Sequence, residues 1–400
     1  MRGRRSGWAA RCAILAAGGI SWAAWSGPAL DWRQPWQEPQ DPKAASERSD
    51  EYAWALFVAI NWPAHTESGA PDVAAALGAN QPVVWETWIS ASSVYRPDGH
   101  DPGEWRPSDA QAHANDRHFE DMSARDLPNL RHIVNGVMVP VTDPVEGARR
   151  LTEIRMNRPA FDFVRSRELY NIDGQLRVFD SGKPVRFPYG AREVKAKWRP
   201  IGEAERGRYH TMSVRFADGS SKLYGLTALH IISKDLPHWF WATFEQVENP
   251  TLPDNEGWQL PSRDAFACPR GSDLDCNLAP RGIGLDGTVW QYYRLRGTLT
   301  RFTDAQGAPQ RLANSELEQG MQSTASCITC HSRATIADDE GKPGRLGIFD
   351  VKDSKPDEPT ARRGYVGEPG WLDAGYVWDG RRYQSLDFVW SLSKAQPRAP

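Results

Sequence analysis

A chain of 400 residues, 40% of them hydrophobic, is long enough for one large folded domain or two of medium size. Its net charge of −3 and its pI of about 6.3 exclude the strongly basic surface that nucleic-acid binding requires, so no nucleic-acid partner is predicted. The 18 Trp residues favour a core or a cofactor pocket built from large rings, with an ordinary Trp-rich core as the alternative.

The first 29 residues have the three-part form of a secretory signal peptide. A basic start precedes an apolar run over 12–25, and the small residues Gly27 and Ala29 fit a cleavage site. We therefore predict that 1–29 is a signal peptide and that the mature protein is periplasmic or otherwise exported. The apolar run is short for a membrane span, and an uncleaved N-terminal anchor is the only membrane contact that remains as an alternative.

The next hundred residues predict few regular elements. Residues 30–50 are rich in Pro, Gln and charge, which is typical of a linker. The run 51–63 has apolar residues at helical spacing and ends in a Pro, so it predicts a helix. Residues 82–89 predict the start of another helix or strand. The polar stretch 95–130 has no clear period and predicts a long irregular segment.

The middle of the chain predicts β-structure. Residues 213–226 alternate on both sides of an Asp-Gly pair, which is typical of a hairpin. The runs 227–233 and 238–247 resemble strands, and 292–302 alternates apolar residues with Arg and Thr. We therefore predict an α+β fold whose body, over 51–300, is β-rich and largely antiparallel.

The character of the sequence changes after residue 300. The stretch SELE is a capping box and predicts a helix that begins at Ser315. Beyond His331 the chain is rich in Gly, Pro and Asp, with one apolar run over 385–395 near the end. We expect 301–400 to form a helical and loop-rich, cytochrome c-like segment that packs onto the β-rich body.

The strongest motif of the chain is Cys327-x-x-Cys330-His331. On about one helical turn it offers two thiols for the two vinyl groups of a porphyrin and an imidazole for the iron. We predict one covalent haem c, with thioether bonds to Cys327 and Cys330 and with His331 as proximal ligand. A redox dithiol is one alternative, but such a dithiol usually opens a helix after a strand in a βαβ unit, and no βαβ pattern surrounds this motif.

Two further cysteines bear on a zinc alternative. Cys268 and Cys276 enclose a loop rich in Pro, Gly and Asp, and a disulfide between them is the simplest interpretation. The alternative interpretation is a zinc site, in which these two cysteines and Cys327 and Cys330 together bind one zinc ion. The seven-residue spacing is wide for a zinc knuckle, and such sites are more often intracellular.

The ligand on the other face of the iron is less constrained. No Met or His follows His331, and Met321 is only six residues before Cys327 on the same element. We prefer His230, which lies in an apolar run, because a buried imidazole needs a hydrogen bond or a metal. A His230 that is merely hydrogen-bonded in the core is the main alternative, and the ligand could also be a Lys, water or absent. Other candidates for this site are His210, His238 and Met212, and two rings could wall the haem edge or simply pack in the core: Trp239 and Trp241.

Several blocks of sequence occur in an order that resembles a family of bacterial exported monohaem cytochrome c proteins of undetermined function. These blocks cover 54–63, 83–88, 192–201, 225–234, 238–250 and 312–335. The resemblance implies export, one covalent haem and a large region of about 250 residues before the haem motif. It brings no substrate or reaction. His230, Glu193 and Lys195 fall within these blocks.

Three functions follow from a haem c site in such a chain. The first is a single-electron carrier that exchanges electrons with a partner redox protein. The second is a haem enzyme, peroxidase-like or acting on another small molecule, with an open distal site; the missing downstream Met favours it somewhat. The third is a haem-based sensor, in which ligand exchange at the iron changes a protein contact. The sequence leaves open whether the protein is an enzyme.

Overall fold

A computed structural model describes most of the chain. The described ranges are 30–117, 131–134, 137–140, 151–215, 220–249, 262–318, 325–339, 342–346, 376–378 and 380–400. The predicted signal peptide, 1–29, lies outside them. Within these ranges, every helix is too short or too polar to cross a bilayer.

The described residues form seven α-helices, five 3₁₀-helices and thirteen strands. The α-helices are α1 Pro42–Glu47, α2 Ser49–Ile60, α3 Ala91–Val94, α4 Ala110–Asn115, α5 Arg158–Ser166, α6 Ile172–Ser181 and α7 Cys327–His331. The 3₁₀-helices are Val84–Thr87, Pro107–Asp109, Glu203–Arg208, Val289–Tyr292 and Trp390–Lys394. The strands are β1 Ile89–Ser90, β2 Arg131–Val134, β3 Val137–Pro140, β4 Leu151–Met156, β5 Arg192–Pro200, β6 Thr211–Arg215, β7 Ser221–Ser233, β8 Phe240–Gln246, β9 Tyr293–Leu299, β10 Thr335–Asp339, β11 Lys342–Gly344, β12 Tyr376–Trp378 and β13 Arg381–Ser385.

A seven-stranded antiparallel sheet is the centre of the fold. Its order is β1-β4-β5-β7-β8-β9, with β6 also paired to β7. The four C-terminal strands form a separate sheet in the order β11-β10-β13-β12, and β2 pairs with β3. The predicted α+β fold with a largely antiparallel body is confirmed. The β6–β7 pairing also confirms the predicted hairpin, although its turn residues 216–219 lie outside the described ranges.

Alternating side chains give the large sheet two different faces. The helix face carries Val194, Leu229 and Phe244, which belong to a core cluster under α2. Helix α2 presents Phe57 to Phe244, with ring centroids 4.3 Å apart. The predicted helix over 51–63 is therefore confirmed as α2, which ends at Ile60 before Pro63.

The opposite face, called here the site face, carries Lys195, His230 and Trp241. These residues lie one position out of step with the apolar residues of the helix face. Trp241 belongs to a second core cluster that also contains Ile328 and Val389. The described part of 301–400 therefore shares a core with the body, as expected for a segment that packs onto it.

Two expectations for the first 130 residues were wrong. Residues 30–50 are not a linker, because Asp41 caps α1, Ala44 and Ala45 are buried, and Trp32 stacks on Phe266 with centroids 6.0 Å apart. The stretch 95–130 is also not wholly irregular, since it contains α4, while 118–130 lies outside the described ranges.

The segment before the haem motif also differs from its prediction. Residues 315–318 form a turn rather than the start of a helix, and 319–324 lie outside the described ranges. Ser315 makes a long-range contact instead of capping a helix: it donates through N and Oγ to Glu245 Oε2, at 2.9 and 2.6 Å. Apart from the one-turn helix α7, the described residues after 325 are mainly strands, so the expected helical character is not seen there.

The two loop cysteines form a disulfide. Cys268 and Cys276 are bonded across a sequence separation of eight, with Cα atoms 5.0 Å apart. The disulfide interpretation is confirmed. A zinc site built from all four cysteines is wrong, because this pair is already joined.

Candidate functional site

Helix α7 carries the Cys-x-x-Cys-His motif and lies against the site face of the sheet. Ile328, between the two cysteines, is fully buried in the second core. The ring of His331 packs on Trp241 of β8, with centroids 4.6 Å apart. The backbone carbonyl of Cys330 accepts a hydrogen bond from Trp390 Nε1 at 3.0 Å. The single turn of helix is thus held between the sheet and the C-terminal 3₁₀-helix.

The imidazole of His331 is oriented by a backbone carbonyl. Its Nδ1 lies 2.8 Å from the carbonyl oxygen of Phe388, which can only accept, so Nδ1 carries the proton and donates. The lone pair is therefore on Nε2. Burial lowers the pKa of His331 to about 4, which keeps the ring neutral at physiological pH. A neutral imidazole with one nitrogen held by a carbonyl is the usual form of a metal-ligating His.

The two thiols of the motif are unpaired with each other. Cys327 and Cys330 are free, and Cys327 Sγ is 3.9 Å from the carbonyl oxygen of Leu312. Burial raises the pKa of both thiols, so they remain protonated. A catalytic dithiol needs a lowered pKa and a thiolate, so this environment does not favour the redox-dithiol alternative.

His230 lies on the same face of the sheet as the motif. It pairs across the strands with Lys195 of β5 and Thr243 of β8. Its buried Nε2 is 3.5 Å from Glu318 Oε2 and makes no hydrogen bond, so the contact is electrostatic. Burial alone would raise the pKa of Glu318, but the charges of His230 and Lys195 lower it overall.

His230, Lys195 and Glu318 all contribute to the electrostatic environment of His331. The pKa of His331 is lowered first by burial and further by Lys195 and His230. The negative charge of the Glu318 carboxylate also contributes to the raised pKa of Cys327 and Cys330. The motif and the preferred distal residue therefore form one cluster, which the sequence suggested without showing its geometry.

Two of the other distal candidates lie elsewhere. His210 Nε2 is 3.0 Å from Glu86 Oε1, and its ring stacks on Trp290 in the core of the helix face. Met212 belongs to that same core, 3.1 Å from the guanidinium of Arg117. Neither faces the motif, because both are on the opposite side of the sheet.

The remaining candidate and the two tryptophans are near the motif. The ring of His238 is 5.7 Å from that of Phe388, the residue whose carbonyl holds His331. Trp241 contacts His331 directly, whereas Trp239 packs on Phe187 at 5.5 Å. Of the two predicted wall residues, Trp241 is therefore the one beside the ligand.

The donor set fits a covalent haem better than a zinc ion. Two free thiols and an imidazole with its Nε2 lone pair available are the groups that haem c attachment requires. A structural zinc site needs four ligands. Among the described residues, no group of three or more His, Cys, Asp and Glu is arranged to hold a metal ion.

Sequence reasoning missed three participants in this site. Phe388 and Trp390 lie in the apolar run 385–395, which was recognised but given no role. The capping-box pattern gives Glu318 only a local role; its Oε2 does accept from Asn314 N at 2.7 Å, and it also lies beside His230. A backbone carbonyl has no sequence signature, so only the apolar run itself could have pointed to it.

Comparisons with protein-family models, with curated proteins and with solved structures found no match to this chain. The resemblance to exported monohaem cytochromes therefore stays a prediction from the sequence blocks. The function proposed below rests on the residues of the site and their geometry.

Proposed function

We propose that this protein is an exported c-type cytochrome with one covalent haem, which transfers single electrons to and from a partner redox protein. The observation that carries the proposal is the state of His331 within the Cys-x-x-Cys-His turn: its Nδ1 donates to the Phe388 carbonyl, which leaves the lone pair for the iron on Nε2. The free thiols of Cys327 and Cys330 supply the two attachment points beside it.

The residues around the motif have separate tasks in this proposal. When bound, the haem iron supplies a centre that gains and loses one electron. Cys327 and Cys330 would hold the porphyrin through thioether bonds, and His331 would bind the iron through Nε2. Trp241 and Ile328 exclude water from the surroundings of His331, because both are buried in the second core. A dry environment and a held ligand together limit reorganisation and set the potential.

Export is supported by the chemistry of the cysteines. A disulfide between Cys268 and Cys276 persists in oxidising compartments such as the bacterial periplasm. Covalent haem and a disulfide are both consistent with the signal-like sequence 1–29. The proposed location is therefore the periplasm or another exported site.

The distal ligand is proposed to be His230. It lies on the site face, and its buried Nε2 makes no hydrogen bond and has only an ion-pair contact at 3.5 Å with Glu318 Oε2. A buried imidazole nitrogen without a hydrogen-bond partner is costly unless another group, such as a metal, uses it.

The experiment is a visible spectrum of the haem-containing protein, reduced, with and without carbon monoxide. We expect a low-spin spectrum that carbon monoxide does not change, and we expect His230→Ala to bind carbon monoxide readily. His210→Ala is the matched control, because His210 is held by Glu86 on the other face. A wild-type protein that binds carbon monoxide freely would contradict His230 as ligand and leave the distal face open.

An enzyme with an open distal face is the second candidate, and the His230–Glu318 contact favours it. An imidazole with a carboxylate oxygen 3.5 Å away is an arrangement that general acid–base catalysis uses. In that case the wild-type protein should bind carbon monoxide and turn over peroxide. Both His230→Ala and Glu318→Gln should then lower the peroxide turnover, while His210→Ala should not.

A further inference from the structure

A strained turn next to the motif holds the carbonyl that orients His331. Asp387 and Phe388 both have positive φ angles, 51° and 69°, although neither is Gly. Residues other than Gly, Asn and Asp rarely adopt this conformation, and Phe is an unfavourable choice for it. Consecutive residues of this kind persist only where the surrounding structure fixes them, and they concentrate at functional sites.

A buried ion pair fixes this turn. Asp387 Oδ1 accepts from Lys234 Nζ at 2.7 Å, and Oδ2 accepts from the backbone N–H of Phe187 at 2.7 Å. Lys234 also donates to the carbonyl of Pro237 at 2.6 Å. Both charged side chains are 8% exposed. The turn is thereby joined to the β7–β8 connection, which leads into Trp241.

The positive φ of Phe388 determines where its carbonyl and its side chain lie. The Phe388 backbone places its carbonyl 2.8 Å from His331 Nδ1, while its side chain packs toward Trp241, with centroids 6.1 Å apart. A Gly at 388 would relieve the backbone but lose this packing. The backbone N–H of Leu386 donates to the carbonyl of Ala334 at 2.8 Å, so the turn is also tied to the chain just after α7.

We propose that Lys234 and Asp387 are positioning residues for the proximal ligand: their ion pair holds the 386–389 turn so that the Phe388 carbonyl fixes the orientation and basicity of His331, and thereby lowers the reduction potential of the iron. The inference rests on the proposed haem function for its effect on potential. Its structural part, the control of the His331 Nδ1 hydrogen bond, holds for the chain itself.

The direction of the effect follows from the hydrogen bond. A donated Nδ1–H makes the imidazole a stronger electron donor, which favours the oxidised iron. Loosening the turn weakens this bond and favours the reduced iron. Mutating the outer-shell partners of metal ligands typically costs 10- to 100-fold in metal affinity or activity, and we take the lower end of that range as the size of the effect here. We expect a roughly tenfold shift of the oxidation equilibrium toward the reduced form, about 59 mV for a one-electron couple.

The test compares four variants of the haem-containing protein by redox titration. Lys234→Met and Asp387→Asn should each raise the potential by this amount. Lys234→Arg keeps the charge and should stay close to the wild type. Asp264→Asn is the matched control, because Asp264 is a buried carboxyl that accepts from Trp54 Nε1 at 2.7 Å in the core of the helix face. It should leave the potential unchanged.

A second measurement separates this inference from the haem proposal. The Nδ1 proton of His331 is followed by NMR in the full-length chain as purified, with or without haem, and its exchange with water is measured. Lys234→Met and Asp387→Asn should speed this exchange, and Asp264→Asn should not. Asp387→Asn is the milder variant, because Asn tolerates positive φ and keeps an acceptor for Phe187. Unchanged exchange in both variants overturns the inference whether or not haem is bound, as does an unchanged potential in a protein that carries haem.

Discussion

Glu193 is a buried carboxyl whose ionisation should control part of the pH dependence of folding. It lies on β5, and Ser391 Oγ donates to its Oε1 at 2.6 Å. Burial raises the pKa of Glu193 from its usual 4.5 to about 7, and the Ser391 hydrogen bond and the charge of Lys394 only partly offset this. Glu193 is therefore mostly neutral in the folded protein at pH 6.

The sign and size of the effect follow from the two pKa values. Glu193 ionises near pH 4.5 in the unfolded chain and near pH 7 in the folded protein. Between these two pH values the folded state therefore binds more protons than the unfolded state. The stability that Glu193 contributes is fully present below about pH 4.5 and is lost as the pH rises to about 7. At about 1.4 kcal/mol for each pH unit, the loss is about 3 kcal/mol.

Glu193→Gln removes this ionisation and keeps a hydrogen-bonding side chain for Ser391. Urea unfolding at pH 5 and pH 8 should show that the variant gains about 2.5 kcal/mol on the wild type between these pH values, because part of the loss already occurs below pH 5. Asp264→Asn should give a separate gain, since burial also raises the pKa of Asp264 to about 7. The two gains should add, because the residues pack on opposite faces of the sheet. A variant whose difference from the wild type is the same at both pH values would refute the reasoning.

Three further predictions concern stability. Phe57→Ala should cost about 3–5 kcal/mol in urea unfolding because Phe57 is fully buried among aromatic rings; a cost below 1 kcal/mol would contradict its place in the core. Replacing Cys268 and Cys276 by Ser should cost about 2–3 kcal/mol under oxidising conditions, and an unchanged stability there would mean that the bond does not form. Gly225→Ala should cost about 1–3 kcal/mol because a Cβ would lie 2.7 Å from the ring of Tyr209; a neutral result would show that the ring moves aside freely.

Local patterns predicted the elements of the fold well. The alternation over 292–302 and the apolar runs around Pro237 become β7, β8 and β9, because strand residues face a core on each side with a period of two. The disulfide also followed from sequence, since two cysteines around a short polar loop have few other uses.

Composition gave a wrong prediction where a few large apolar residues order an otherwise polar segment. Residues 30–50 have the Pro and Gln content of a linker, yet Trp32 and Trp36 pack against the core of the helix face and order the segment. The capping box at Ser315 failed for a related reason. Ser315 bonds to Glu245, and this tertiary contact replaces its local capping bond, whereas Glu318 keeps a local bond to Asn314 N and also lies beside His230.

The geometry of the site depends on contacts that no local pattern contains. The carbonyl of Phe388 meets His331 across 57 residues, and Lys234 meets Asp387 across 153. The motif identified which residues bind, because the chemistry of thiols and imidazole is local. The groups that orient those residues are brought together only by the folded chain.

The most direct test of the central claim is whether haem stays attached after the protein is unfolded. The protein is produced with haem maturation, denatured and extracted with acidified organic solvent, and its visible spectrum and mass are measured. We expect the spectrum and the added mass of one haem to remain with the wild-type chain and to be lost when Cys327 and Cys330 are both replaced by Ser. A wild-type chain that carries no haem after extraction would contradict the claim and would favour the alternative of a redox dithiol at Cys327 and Cys330.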